Sequence, residues 1–270
     1  TVEGNGTAGA VGAGVTICAG TDNYSVDHNY ICGNYGASHG GGIGHLGFSQ
    51  GGVISNNQIL FNQSFQQTAS THGGGIAILG EPPIAGTVSL GSGDVTIDSN
   101  LIRGNFAESG QGGGIRLQQV NGADVALSQD ADRWHSVTVT NNMIVNNVAG
   151  WAGGGIAMAD TLNARIVNNT VSSNDSVGIA GVVLAGNVAL PAETPGPPGR
   201  GYPSPAGVAS ELTSAALLLQ VPAGARVANA ISQPRALSNN ILWRNRSFYY
   251  SGDGRLCVGN SRLAPAGACT

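Results

Sequence analysis

The chain contains no lysine: all 11 of its basic residues are arginine, and only 10% of its 270 residues carry charge. With a net charge of −4 and no basic cluster, it lacks the concentrated positive charge that nucleic acid or an anionic membrane surface would require. Long apolar runs are missing too. The longest, Ala215 to Val221, falls far short of the roughly 18 residues that span a bilayer, so no membrane-spanning segment is expected. Aromatic residues make up 5%, which leaves the core to aliphatic side chains. The start, Thr1-Val2-Glu3-Gly4, carries neither an initiator Met nor a charged-then-apolar leader, so the chain is expected to be a segment of a longer precursor.

Glycine is abundant instead, at 44 residues, a composition that disordered chains share. Here, however, the apolar residues fall in regular short runs, which disordered chains lack. Two motifs recur in fixed order. The first is a pair of Asn five residues apart: Asn29/Asn34, Asn57/Asn62, Asn100/Asn105, Asn142/Asn147, Asn169/Asn174 and Asn240/Asn245. An apolar residue stands three before each second Asn: Ile31, Ile59, Ile102, Ile144, Val171 and Leu242. The second motif is a Gly triplet followed by Ile, at Gly40–Ile43, Gly73–Ile76, Gly112–Ile115 and Gly153–Ile156, with a degenerate Val177-Gly178-Ile179. Before each Asn pair lies a short alternating run such as Val95-Thr96-Ile97 or Val137-Thr138-Val139, the pattern of a strand with one buried face.

Each repeat therefore reads as a strand, an Asn turn, a second strand, a Gly turn and a third strand. Such a unit cannot bury its apolar face alone and must stack on copies of itself. The expected fold is all-β: a right-handed parallel β-helix of about six coils with loop insertions, forming a single domain over residues 1–270. Asn34, Asn62, Asn105, Asn147, Asn174 and Asn245 are expected to form a ladder at one turn, each side chain bonding to the coils above and below and tolerating left-handed backbone. Loops are expected at 81–93 and 121–135. A Pro/Gly-rich insertion at 186–230 precedes the last coil, and Ser210 to Gln220 within it fits either a short helix or a strand. Four Cys fall as two pairs close in sequence, one near each end of the chain. They are the disulfide candidates, Cys18 with Cys32 and Cys257 with Cys269, with unpaired core thiols as the other reading.

The apolar-x-x-Asn motif alternating with Gly-Gly-Ile resembles the repeat of secreted bacterial right-handed β-helix proteins of the pectate-lyase-like superfold, including the chlamydial polymorphic outer-membrane proteins. The likeness covers about residues 15–179 and 237–245. It implies a secreted or cell-surface location. It does not imply one function, because the superfold holds adhesins and passenger domains as well as polysaccharide lyases and hydrolases. Polygalacturonase-like members are similar to one another in an Asp cluster, a Gly-His-Gly turn and an Arg-x-Lys motif; here Gly44-His45-Leu46 is the nearest approach and Lys is absent.

Chemistry is expected in the insertions or at the ends. Asp130, Asp132, Trp134 and His135 form the densest mix of carboxylate, aromatic and imidazole, and are the first choice for a carbohydrate or calcium contact. Arg116 stands where other coils carry Gly44, Ala77 and Ala157, and reads as an outward surface Arg or one wall of a ligand groove. Asp27 and Asp98, two coils apart or roughly 10 Å, are too far apart for one calcium ion and read as solvated carboxylates. His39 and His72 precede their Gly triplets in adjacent coils and read as polar turn stacking rather than a metal pair. His45 aligns with Ile78, Leu117 and Met158 and reads as a satisfied inward imidazole. No catalytic residue or resident metal is assigned, and calcium is the one cofactor left open. The expected function is a non-catalytic extracellular scaffold, structural or adhesive. Its partner is a carbohydrate or cell-surface protein, and end-to-end self-association into a filament is a variant. The competing reading is a polysaccharide lyase or glycoside hydrolase.

Overall fold

The computed structural model describes residues 1–7, 11–66, 69–84, 87–178, 204–250 and 256–258. The repeat closes into a parallel β-helix of four sheets, six, seven, eight and six strands deep in the order in which a coil visits them. Each coil has four strands rather than three. In one coil they are Val95–Asp98, Leu101–Arg103, Phe106–Ala107 and Ile115–Gln118. The extra strand is the two-residue segment directly after the second Asn, too short for its alternation to register in sequence.

Equivalent residues pair coil to coil, so Ile102 sits between Ile59 and Ile144, and Ile97 between Ile54 and Val139. One core cluster runs through the stack from Ile17 to Val171, and its inward Ile residues are fully buried. Each contributes about 1.5–3 kcal/mol of hydrophobic stabilisation.

Both Asn positions form ladders, which extends the single ladder expected. Along the second, Asn62 donates its backbone N–H and its Nδ2 to Asn105 Oδ1, at 2.9 and 3.0 Å, and Nδ2 also reaches the Ile31 carbonyl at 3.0 Å. Asn105 repeats this toward Asn147 and Ile59. The first ladder does the same through Asn57, Asn100, Asn142, Asn169 and Asn240. The ladder Asn are not themselves left-handed. Positive φ falls on the residue before each: His28, Asn56, Ser99, Asn141, Asn168 and Asn239 at the first corner, and Gly4, Gly33, Phe61, Gly104, Asn146, Ser173 and Arg244 at the second. That residue turns the chain, which leaves the following Asn aligned with its neighbours.

At the amino end, Val2–Glu3 and Asn5 add a partial coil: Asn5 donates to Asn34 Oδ1 through its backbone N–H at 3.0 Å and its Nδ2 at 2.9 Å. At the other end the insertion boundaries change. Val208–Ser210 pairs with Ile156–Ala159 as the next strand of the fourth sheet, so Ala206-Gly207-Val208, not Val177-Gly178-Ile179, supplies the next Gly turn. The expected 186–230 insertion is therefore interrupted by a coil strand, Val208–Ser210, and the residues after that strand form an excursion of their own. Its segment 210–220 is mixed, ending the strand at Ser210 and forming a helix at Ala215–Gln220. The Pro-rich residues 191–203 lie outside the described residues.

Candidate functional site

Among the described residues, excursions leave the stack only before or after the fourth strand of a coil, because both Asn corners are closed by ladders. They flank the fourth sheet, and those at 121–135 and 214–225 pack on one another. Residues 121–135 contain a helix, Ala123–Leu127, and a 3-10 turn, Ala131–Arg133, rather than an open loop. Val125 and Trp134 join Leu162, Leu217 and Val221 in a second apolar cluster. Trp134 is buried and its Nε1 donates to the Ser128 carbonyl at 2.9 Å, so the ring that a stacked sugar would need in the open is inside.

The other residues of that segment also serve the excursion. Asp130 Oδ1 accepts from the Asp132 N–H at 3.0 Å and caps the 3-10 turn. Asp132 pairs with Arg235 at 2.7 Å, tying the excursion to the last coil's entry. His135 faces Phe48, with ring centroids 5.3 Å apart, and its Nδ1 lies 3.8 Å from Asp124 Oδ2. Asp124, which the sequence did not single out, is buried and accepts from the N–H groups of Gly122 and His135 and from Asn121 Nδ2.

Arg116 points outward from the fourth sheet but is not a surface side chain, which corrects the surface reading. The segment before each Gly triplet folds back over the outer face of the fourth sheet, and this is why Gly44, Ala77 and Ala157 are small: a Cβ on Gly44 would lie 2.4 Å from the Gly12 nitrogen. Arg116 lies beneath these straps at 3% exposure. Its guanidinium donates to Gln118 and Gln111 and forms an ion pair with Glu211, which comes from the strand-bearing part of the 186–230 insertion.

His39 and His72 stack face to face on the same side, with centroids 5.1 Å apart and planes 3° apart. The His72 N–H donates to His39 Nδ1 at 2.9 Å, and the Gln111 N–H to His72 Nδ1 at 3.0 Å. Both Nδ1 atoms are therefore acceptors, and the ring proton is on Nε2. A metal ion would find neither nitrogen's lone pair free in this tautomer. His45 is fully buried, with Nδ1 accepting from Tyr24 OH at 2.9 Å and Nε2 donating to the Gly47 and Ser92 carbonyls. Burial lowers the His45 pKa and raises that of Tyr24.

Asp27 and Asp98 belong to the first corner. Asp27 accepts from Asn56, Ser55 and His28, and these hydrogen bonds bring its carboxyl down to about 2. Asp98 accepts from Ser99 and Asn141. Asp160 follows the fourth-sheet strand Ile156–Ala159 and accepts from the Ser214 N–H at 2.7 Å. The structure thus brings Arg116 to Glu211, Asp132 to Arg235 and His39 to His72. It distributes the carboxylates over the corners and excursions. Among the described residues no group of three or more His, Cys, Asp or Glu is placed to hold a metal ion.

Cys18 and Cys32 are free thiols, which corrects the expected bridge: Cys18 follows a fourth-sheet strand and Cys32 ends a second-sheet strand, on different faces of the stack. The Cys257–Cys269 pairing lies outside the described residues, since Cys269 is not among them. At the carboxyl end, Leu237 and Leu242 occupy inward positions at about half exposure, while Leu256–Val258 covers the third sheet's edge as an antiparallel strand. No helix among the described residues is long and apolar enough to cross a membrane. No family model matches the chain, and no curated protein and no solved structure matches it either.

Proposed function

We propose that the chain is a non-catalytic extracellular scaffold, structural or adhesive, akin to the secreted bacterial β-helix proteins its repeat resembles. The observation that carries this reading is the commitment of its polar side chains to structure. Asp27 and Asp98 hold corners, Asp124 and Asp130 hold the excursion, and Arg116 joins Glu211 beneath the straps. A lyase or glycosidase needs the opposite arrangement, with two carboxylates, or a calcium site beside Arg, facing a substrate cleft.

Recognition on such a scaffold belongs to the excursion side and to the exposed apolar residues of the last described coil. The excursions expose apolar residues such as Leu127, Leu219 and Val227, and the last coil exposes Leu237, Leu242 and Trp243. The filament variant draws support from the exposure of Leu237, Leu242 and Trp243. It would also require a partner to accommodate or displace Leu256–Val258 at the third sheet's edge.

The test is a screen of acidic and neutral polysaccharides, with and without calcium, for unsaturated uronate products and new reducing ends, run beside retention of the chain on the same polymers. Retention without product is the expected result. Turnover that Asp98→Asn or Asp124→Asn abolishes while the fold persists would overturn the reading.

A further inference from the structure

The outer face of the fourth sheet carries a built polar column that the scaffold reading leaves unused. His39, His72 and Gln111 stand at the same position of three successive coils, each one residue before a Gly triplet. Between them, backbone N–H groups donate to the two imidazole Nδ1 atoms, so each ring serves as the acceptor that fastens the next coil's strap. Beneath the column lies Arg116, held by Gln111, Gln118 and Glu211.

We propose that the stacked His39–His72 pair is an acid-sensitive latch that fastens the straps around 38–42 and 71–75 over the outer face of the fourth sheet. The chemistry is local. A proton can enter either ring only at Nδ1, because Nε2 already carries one, and Nδ1 is the atom that accepts from the strap. Protonation therefore breaks a strap hydrogen bond and creates an imidazolium stacked on a second ring, close to the Arg116 guanidinium. The charged groups facing the pair, among the described residues, are Arg116 and, through it, Glu211. Glu211 offsets one positive charge only.

Burial and Arg116 lower both imidazoles, His39 to about 4 and His72 well below its ordinary value. The unfolded chain, with His near 6.5, therefore binds more protons than the folded one between these limits. Stability from the latch is full above about pH 6.5 and is lost as pH falls through the folded values. His45 shares the direction of shift but lies inside the core, so it must be kept constant in the test.

The test uses the double variant His39→Gln/His72→Gln, which places at both positions the residue that coil three carries as Gln111. Denaturant midpoints are measured at pH 7.5 and 4.5. The wild type should lose midpoint on acidification, and the double variant should lose less than half as much. Equal losses would overturn the proposal. A second reading needs no variant: ring ¹⁵N shifts of the wild type should keep the Nε2–H form at pH 6, and the His72 and Gln111 amides should exchange faster as the rings protonate. Titration of both rings near 6.5 with unchanged amide exchange would also overturn it.

Discussion

Phe61 and Gly104 stand at the same corner of successive coils, and the Phe61 ring covers the spot where a side chain at 104 would begin: a Cβ there would fall 2.6 Å from the ring. Both residues are left-handed, with φ of 52° and 67°. The Gly removes a clash and a backbone penalty together, whereas Phe61 bears the penalty.

Phe61→Asn, matching Asn146 two coils further on, is therefore expected to stabilise the chain by about 1 kcal/mol, and Gly104→Ala to destabilise it by about the same amount. Thermal or denaturant midpoints check both, and the opposite signs are the diagnostic feature.

The Asn105 amide accepts from Asn62 twice and donates to Asn147 and to the Ile59 carbonyl. Asn105→Ala leaves several buried groups unpaired and should cost about 1–3 kcal/mol, or more if the losses add. Asn245→Ala, in the last described coil with fewer ladder partners, should cost less. Equilibrium unfolding of the two variants gives the comparison.

The ladders also show what the sequence made legible. Six Asn pairs at irregular intervals of 28, 43, 42, 27 and 71 residues predicted the stack, the coil number and the fact that excursions absorb the differences. The third strand stayed hidden because Gln63–Ser64 or Val148–Ala149 is too short to alternate. The last Gly turn was missed because Ala206 stands in place of a Gly and lies far along the chain from the preceding triplet at Gly153. Arg116 misled for another reason. Its outward position was read correctly from register, but the straps that bury it are non-periodic, and its partner Glu211 is 95 residues away. Trp134 was legible as an anchor of its segment only once the helix Ala215–Gln220 was seen to pack on it.

Removing Arg116 leaves Glu211, one-fifth exposed, without its cation and frees Gln111 and Gln118. Arg116→Ala is expected to cost about 1–3 kcal/mol. The double variant with Glu211→Ala should cost less than the sum of the two singles, and a double-mutant cycle on unfolding free energies measures the coupling.

Asp27 provides a pH prediction of its own. Its folded carboxyl titrates at about 2 against an ordinary value of 3.8, held down by Asn56, His28 and Ser55. Its contribution to stability is thus present above about pH 4 and disappears as pH falls toward 2. Carboxyl ¹³C titration by NMR should give the low midpoint, and Asn56→Ala should move it upward.

The ladder Asn side chains are as much part of the core as the Ile residues beside them, and hydrogen exchange resolved at side-chain amides distinguishes this from a surface role. The Nδ2 protons of Asn62, Asn105 and Asn147 should be protected to the same opening free energy as the Ile102 backbone amide, so that both report global unfolding. Nδ2 protons exchanging at the rate of free asparagine while Ile102 stays protected would place the ladders outside the core.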